Sequence, residues 1–310
     1  MTIIQLEYFI AIADTQSFSL AADRCFVTQP TLSMQIKKLE EELEVVLFDR
    51  NVSPVQLTEL GQQLLPKARR IVQESKSLHE FVKDEKGIIK GDLTIGIIPT
   101  LAPYLLPLFI GKFMKKFPMV NIHITEFTTE EIIHRIKESQ LDCGILASPL
   151  HEKGILEKPV FYERFVAYLS PQHPLLKKKV LDASDLDTDE TWILHEGHCF
   201  RNQVMNFCKF RKSGQHARLH YESGSIQTLK KLVETEKGLT VMPELAIRDF
   251  SAREMKMLRY FRAPEPVREI AVVCSQYPVK EKMIDRLAEE IAHAVPEKWR
   301  KKEKNKVVDI

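Results

Sequence analysis

The chain has 310 residues, of which 44% are hydrophobic and 28% charged, with a formal net charge of +2; that length and balance suit two or three globular domains and neither demand nor forbid nucleic acid. Its five cysteines, Cys25, Cys143, Cys199, Cys208 and Cys274, are odd in number and scattered, which argues against the disulfide framework of a small secreted domain. No apolar run reaches the roughly 18 residues of a membrane span, and Glu7 and Asp14 interrupt the N-terminal apolar stretch, a poor signal peptide; the expected location is cytoplasmic, with no membrane partner.

From Ile3 to about Leu57 the pattern is one of short amphipathic helices and a Pro-containing turn. Ser17 is placed to cap a helix running to about Phe26. Thr28 is placed to cap the next, with Pro30 in its first turn, where a missing N–H costs little. Leu32, Ile36, Leu39 and Leu43 form that helix's apolar stripe. Thr28, Gln29, Pro30, Thr31, Ser33, Met34, Lys37 and Lys38 lie on its other faces. Small polar groups at a helix N-terminus, with lysines a turn later, suit base edges and phosphates in a DNA major groove, and residues 45–57 supply a following wing. Charge works against this: residues 1–50 hold four bases and eight acids, a net charge of −4, so the basic footprint of a DNA reader is missing.

A single helix is predicted from Leu60 to about Glu85, with Leu57, Leu64, Ile71 and Leu78 spaced seven apart. Such a seam predicts self-association. From Gly91 onward strands and helices alternate: a strand at Leu93–Ile98, a helix near Tyr104–Phe117, strand Val120–Phe127, a helix near Thr129–Glu138, and strand Leu141–Ala147. That βαβ rhythm predicts a parallel sheet. A second group runs from Phe165–Leu169 through Trp192–Leu194 to Gly238–Met242. Strand Glu269–Cys274 and a helix from Lys280 to Ala294 follow, and the basic run from Lys298 to Lys304 reads as a solvated tail.

Within the second group, Cys199 and Cys208 frame a segment in which Phe200, Val204 and Phe207 recur at helical spacing without Gly or Pro. Nine helical steps of about 1.5 Å separate the two Cα atoms by about 13.5 Å, whereas a disulfide needs them within about 7 Å. Helix and bridge therefore exclude each other, and oxidation linking these thiols forces the segment to refold. Cys199 follows the turn Glu196-Gly197-His198, where unpaired N–H groups and the helix dipole lower a thiol pKa, and His198 and Arg201 are placed to add positive potential. Cys208, with Phe207 and Phe210 beside it, has the surroundings of a resolving partner. Eight intervening residues are too many for the close-set ligand pairs of structural zinc sites.

The stretches Leu6-Glu7-Tyr8-Phe9, Ser17-Phe18-Ser19-Leu20-Ala21-Ala22 and Gln29 to Glu40 resemble the helix-turn-helix of the LysR-type transcriptional regulators. The segment Gly197 to Cys208 resembles that family's peroxide-sensing branch. The resemblance covers nearly the whole chain. It implies an α/β protein with an N-terminal all-α winged helix-turn-helix domain (1–59), a linker and dimerisation helix (60–88), and a redox-sensing regulatory domain (89–310). The last comprises two α/β subdomains similar to periplasmic binding proteins, one of about 89–163 and 268–300, the other of about 164–267. It further implies a homotetramer on promoter DNA that controls oxidative-stress genes, is not an enzyme, needs no cofactor or metal, and is reset by a cellular thiol reductant. Residue by residue, Cys199 matches the peroxidatic cysteine and Cys208 the resolving one. Thr100, Thr129, His198 and Arg268 match positions around hydrogen peroxide. Independently, Thr100 and Thr129 each follow the carboxyl end of a predicted parallel strand, where α/β sheets place ligands. Two other readings stay open: a LysR-type regulator answering a small metabolite between the subdomains, and a thiol peroxidase or cysteine hydrolase.

Overall fold

A computed structural model describes residues 1–50, 52–84, 89–186, 190–195, 197–208, 224–302 and 305–310, with residues 77 and 79–84 described by backbone alone. The chain divides into two units, one built on the first four helices and the other on a large sheet.

The helical unit begins with α1 (Ile3–Thr15), where Thr2 Oγ1 accepts from Gln5 N and the Gln5 side chain accepts from Thr2 N, closing two of the orphan groups at a helix start. Ser17 caps α2 (Phe18–Arg24) and Thr28 caps α3 (Gln29–Leu43). Helix α2 stops two residues short of the predicted end: the amides of Phe26 and Val27 return to Asp23 and Ala22, the bond pattern that terminates a helix through one left-handed residue. Strands β1 (Phe48–Asp49) and β2 (Gln56–Leu57) pair antiparallel as a short wing, and α4 (Glu59–Asp84) follows. The core is made by Leu6, Phe9, Ile12, Leu32, Ile36, Leu39 and Phe48. Leu43, last in the predicted stripe, is exposed. On α4 the seam is split: Leu64 is half-buried, while Ile71 and Leu78 face solvent.

In the second unit, β3 (Gly91–Ile97), α5 (Ala102–Lys116), β4 (Val120–Glu126), α6 (Thr129–Lys137) and β5 (Cys143–Ser148) alternate, and β3 lies parallel to both β4 and β5. Beyond β5 the sheet departs from the predicted parallel order. Strand β6 (Ile155–Leu169) follows after a connection of six residues and does not pair with β5; a strand from the far end of the chain, antiparallel to both, lies between them. Next come β7 (Val180–Leu181), β8 (Thr191–Trp192), α7 (Cys199–Cys208), α8 (Ile226–Thr235), β9 (Leu239–Pro243), α9 (Ala252–Met255) and β10 (Leu258–Phe261). The chain closes with β11 (Pro266–Ser275), α10 (Glu281–Ala294) and β12 (Lys306–Val307). Strand β11 runs antiparallel between β5 and β6, giving the order β4-β3-β5-β11-β6-β10-β7.

Strand β6 is long enough to serve two cores. Its first half pairs with β11, and its second half with β9 and β10. One core gathers Leu93, Ile95, Phe109, Ile132, Ile145 and Ile284 under α5, α6 and α10; the other gathers Phe165, Tyr168, Val204, Leu229 and Met242. The basic side chains of the C-terminal run, Lys298, Arg300, Lys301 and Lys302, are exposed as expected, but the run is anchored: Trp299 is buried and stacks on Phe161 at 6.3 Å, and β12 beyond it pairs parallel with the start of β11. The indole is a large apolar surface that water would penalise, and Phe161 of the core receives it.

Candidate functional site

The two cysteines singled out above are the first and last residues of α7, and both are free thiols. The ten-residue helix holds their Cα atoms about 13.5 Å apart, beyond disulfide range. Both are buried, but in different cores: Cys199 packs with the β3–β5 side and Cys208 with the β9–β10 side. Phe200, Val204 and Phe207 anchor the helix; Phe200 stacks on Phe165 at 5.4 Å, and Phe207 meets Phe261 edge-on at 4.8 Å. Gln203, fully buried, donates Nε2 to the Val308 carbonyl at 3.0 Å, and Asn206 donates to Asp309 at 3.4 Å. The segment after β12 therefore ties α7 down. Glu196 and Phe210, which also figured in the sequence reading, lie outside the described residues.

Around Cys199, elements distant in sequence converge. Thr129, the first residue of α6, is not that helix's cap. Thr128 takes that role, its hydroxyl accepting from Glu131 N at 3.3 Å while the Glu131 carboxylate accepts from Thr128 N at 2.9 Å. Thr129 Oγ1 is left buried without a conventional hydrogen bond, and it lies close enough to the Cys199 sulfur to favour its ionised form. Thr100, between β3 and α5, does not cap either; the N-cap of α5 is Leu101, with no side-chain bond. Instead Thr100 accepts twice from Arg268 on β11, through Oγ1 from Nη1 at 3.1 Å and through its carbonyl from Nη2 at 3.3 Å.

Arg268 is fully buried and paired with the equally buried Glu163, its register partner on β6. The other Glu163 oxygen accepts from Leu245 N at 3.0 Å. Burial raises the Glu163 pKa, opposed by Arg268 and the Leu245 N–H; the Arg268 guanidinium itself cannot give up its proton, so the fixed charge of the pair is the positive one. The Arg268 guanidinium also lies 5.2 Å over the Phe200 ring.

Burial raises the Cys199 pKa, against the reduction expected from sequence. Opposing it are the Thr129 hydroxyl, the Arg268 charge and the backbone N–H groups of Phe200 and Cys199 at the helix start. The expected cations are different ones. His198 is pushed down by burial and then by His195, whose ring lies 4.6 Å away, so near neutrality it carries no charge. Arg201 turns away, donating Nη1 to the Leu194 carbonyl at 2.9 Å. Cys208, with desolvation alone acting on it, is pushed up to about 12. Thus Cys199, Thr129, Thr100 and Arg268 come together. His198 adjoins them with His195, and Cys208 and Arg201 stand apart. Glu163 was missed; the signal for it was a carboxylate inside the apolar run Val160–Leu169.

In the helical unit, Thr28, Gln29, Pro30, Thr31, Met34, Lys37 and Lys38 are exposed and Ser33 is half-buried, with Leu32, Ile36 and Leu39 turned inward. The Thr28 and Thr31 hydroxyls bond each other at 2.8 Å. Intramolecular pairs Arg24–Asp14, Lys37–Glu41 and Arg50–Glu40 absorb three of the four bases of residues 1–50. Phe26, read from sequence only as the end of the preceding helix, sits in the turn before α3 with φ of 56° and is 96% exposed, a bulky ring in a backbone region that favours glycine.

Residues 3–62 match the family model for the bacterial regulatory helix-turn-helix protein, lysR family, and residues 86–295 the LysR substrate binding domain. The chain is 36% identical over 275 residues to the hydrogen peroxide-inducible genes activator of Haemophilus influenzae, covering 88% of this chain and 90% of that one. It is 34% identical over 291 residues to the DNA-binding transcriptional dual regulator OxyR of Escherichia coli, covering 94% and 95%. Among solved structures, a full-length OxyR variant from Pseudomonas aeruginosa superimposes with a TM-score of 0.79 at 32% identity, over 94% of this chain and 98% of that one.

Proposed function

The chain belongs to the LysR family of bacterial regulators, and we infer that it is a hydrogen-peroxide-sensing transcriptional regulator of the OxyR type. The observation that carries this reading is the pair of free thiols at opposite ends of one helix, the first beside a buried guanidinium and the buried Thr129 hydroxyl.

In the proposed mechanism, the Cys199 thiolate attacks one peroxide oxygen, the O–O bond breaks, and the departing hydroxide takes up a proton and leaves as water. Cys199 becomes a sulfenic acid. Thr100, Thr129 and His198 hold the peroxide; Arg268 supplies the fixed positive charge toward which negative charge grows on the leaving oxygen. The Cys208 sulfur then attacks the sulfenic sulfur, expelling a second water and closing the disulfide. Because α7 holds the two sulfurs too far apart for that attack, the helix unwinds before the bond can close. Phe200 and Phe207 leave their stacks and the Gln203–Val308 tie breaks.

Output passes to promoter DNA through residues 1–59, with 60–88 as the dimerisation helix and 89–310 as the sensing domain of two subdomains (about 89–163 with 268–300, and 164–267). Thr28, Gln29, Pro30, Thr31, Ser33 and Met34 reach base edges, and Lys37 and Lys38 the phosphates. Exposed Ile71 and Leu78 support self-association through α4, as a dimer or tetramer. A cellular thiol reductant resets the protein in the cytoplasm. It acts as a sensor rather than a turning-over enzyme, reacting once per reduction cycle.

The test is peptide mass spectrometry after a stoichiometric peroxide pulse, paired with promoter footprinting. A Cys199–Cys208 disulfide with an altered footprint is expected. An intact Cys199 alongside oxidation elsewhere, or identical footprints for reduced, oxidised and Cys199→Ser protein, overturns the reading.

A further inference from the structure

Two other cysteines, which the sequence pattern presents as packing residues, are brought together by the sheet. Cys143 opens β5 and Cys274 lies near the end of β11, and the antiparallel register places them directly opposite each other. Residues so paired have Cα atoms about 4.5–5.5 Å apart and side chains on one face. A disulfide requires about 4.4–6.8 Å. Neither is in a disulfide and both are fully buried.

We propose that Cys143 and Cys274 are a second, latent redox pair that closes a cross-strand disulfide between β5 and β11 on prolonged exposure to peroxide, with no rearrangement of the fold around it. The proposal stands whether or not Cys199 is the sensor.

The surroundings explain why this pair is slow. Burial pushes Cys274 up to about 11; the Lys158 ammonium on β6 draws it down, while Glu281 and Asp285 on α10 push it further up. Lys158 is itself held by Asp285, so much of its charge is already answered. A protonated, buried thiol meets peroxide rarely. When opening of the α10 face admits it, the Cys274 sulfur takes one peroxide oxygen as a sulfenic acid and one water leaves. The Cys143 sulfur then attacks that sulfur, the S–O bond breaks, and a second water departs. Two thiols have lost two electrons and two protons to one peroxide. The bond joins residues 131 positions apart in the chain, a long loop whose closure restricts the unfolded state strongly. Its consequence is therefore a gain in stability rather than a change of shape.

The experiment uses the full-length Cys199→Ser/Cys208→Ser protein, in which the faster pair is removed. It is incubated for hours with excess hydrogen peroxide and no thiol, then denatured, alkylated and mapped by mass spectrometry. The expected result is one linked peptide pair containing Cys143 and Cys274, lighter by two hydrogens. A melting temperature several degrees above that of the reduced protein should accompany it, with both changes reversed by dithiothreitol. The same link is expected in wild-type protein after, never before, the Cys199–Cys208 bond. The proposal is overturned if both thiols remain alkylatable, if either is driven to sulfinic acid without the link, if Cys25 is the partner found, or if the link forms and the melting temperature falls.

Discussion

Cys199 and Cys208 are close in sequence and far apart in space, while Cys143 and Cys274 are far apart in sequence and neighbours in space. All four are buried, and burial pushes Cys199, Cys208 and Cys274 toward the protonated form. Acidity alone therefore does not make one pair a trigger. What differs is the work a bond must do. On α7 it has to break a helix that bridges two cores, so oxidation becomes motion; across β5 and β11 it would fasten strands already paired. A second difference lies in what opposes burial. Cys199 has a hydroxyl, a guanidinium and two backbone N–H groups beside it, Cys208 has none, and Cys274 has a lysine already held by carboxylates.

The largest effect expected from that contrast is in rate. Cys199→Ser should slow peroxide consumption at α7 by on the order of a thousandfold or more, since the nucleophile is gone, whereas Cys208→Ser should leave the first step nearly unchanged and stop at a sulfenic acid. Stopped-flow peroxide kinetics with dimedone trapping separates the two; equal loss in both variants would erase the division of labour. In wild-type protein the raised Cys199 pKa sets the sign of the pH dependence. Only the thiolate reacts, so the rate should climb about tenfold per pH unit from pH 6 toward the ordinary thiol pKa and beyond. A rate flat across that range would mean a thiol already ionised.

Next in size is Arg268, which stands on β11, the strand that also carries Cys274. Arg268→Met leaves Glu163 buried and unpaired, and breaking such a pair costs about 3–5 kcal/mol, read from urea denaturation. Adding Glu163→Gln should recover most of that stability but none of the oxidation rate. Recovery of both would reduce Arg268 to a structural role.

The difference between the two pairs also shows what a sequence can carry. The α7 pair was legible because helix geometry is local: spacing alone states that its sulfurs cannot meet. Ser17 and Thr28 were legible as caps for the same reason. The β5–β11 pair was not, because strand register depends on which strands become neighbours, and no local pattern says that β11, more than a hundred residues further on, inserts antiparallel beside β5. Glu163 was hidden for a like cause: its meaning comes from Arg268, 105 positions away. Arg201 and His198 misled because nearness in sequence is not nearness of charge. One points at a carbonyl and the other is held neutral.

Thr129→Val offers a smaller, two-sided effect. Its hydroxyl is buried without a conventional partner, a cost a methyl group of similar size removes, so stability should hold or rise by about 1 kcal/mol. The Cys199 oxidation rate should fall roughly tenfold, because that hydroxyl favours the ionised sulfur. A thermal melt and a rate measurement on one preparation suffice, and a drop in both would mean the hydroxyl serves the fold instead of the chemistry.

The smallest effect concerns the segment after β12, which no local pattern connects with α7. Gln203 and Asn206 donate to the carbonyls of Val308 and Asp309, so the unwinding that the Cys199–Cys208 bond demands must first release the chain's last residues. Removing residues 308–310 takes away those acceptors, with the buried Val308 side chain, while leaving β12 and both cysteines in place. Each neutral hydrogen bond is worth about 1 kcal/mol net, so disulfide closure after sulfenic acid formation should quicken severalfold while the initial attack on peroxide keeps its rate. The Cys143–Cys274 link, which needs no unwinding, should be indifferent to the same truncation. If both bonds closed faster, the tail would be a general brace of the fold rather than a tether on the helix, and the contrast between a moving pair and a fixed one would lose its clearest mechanical sign.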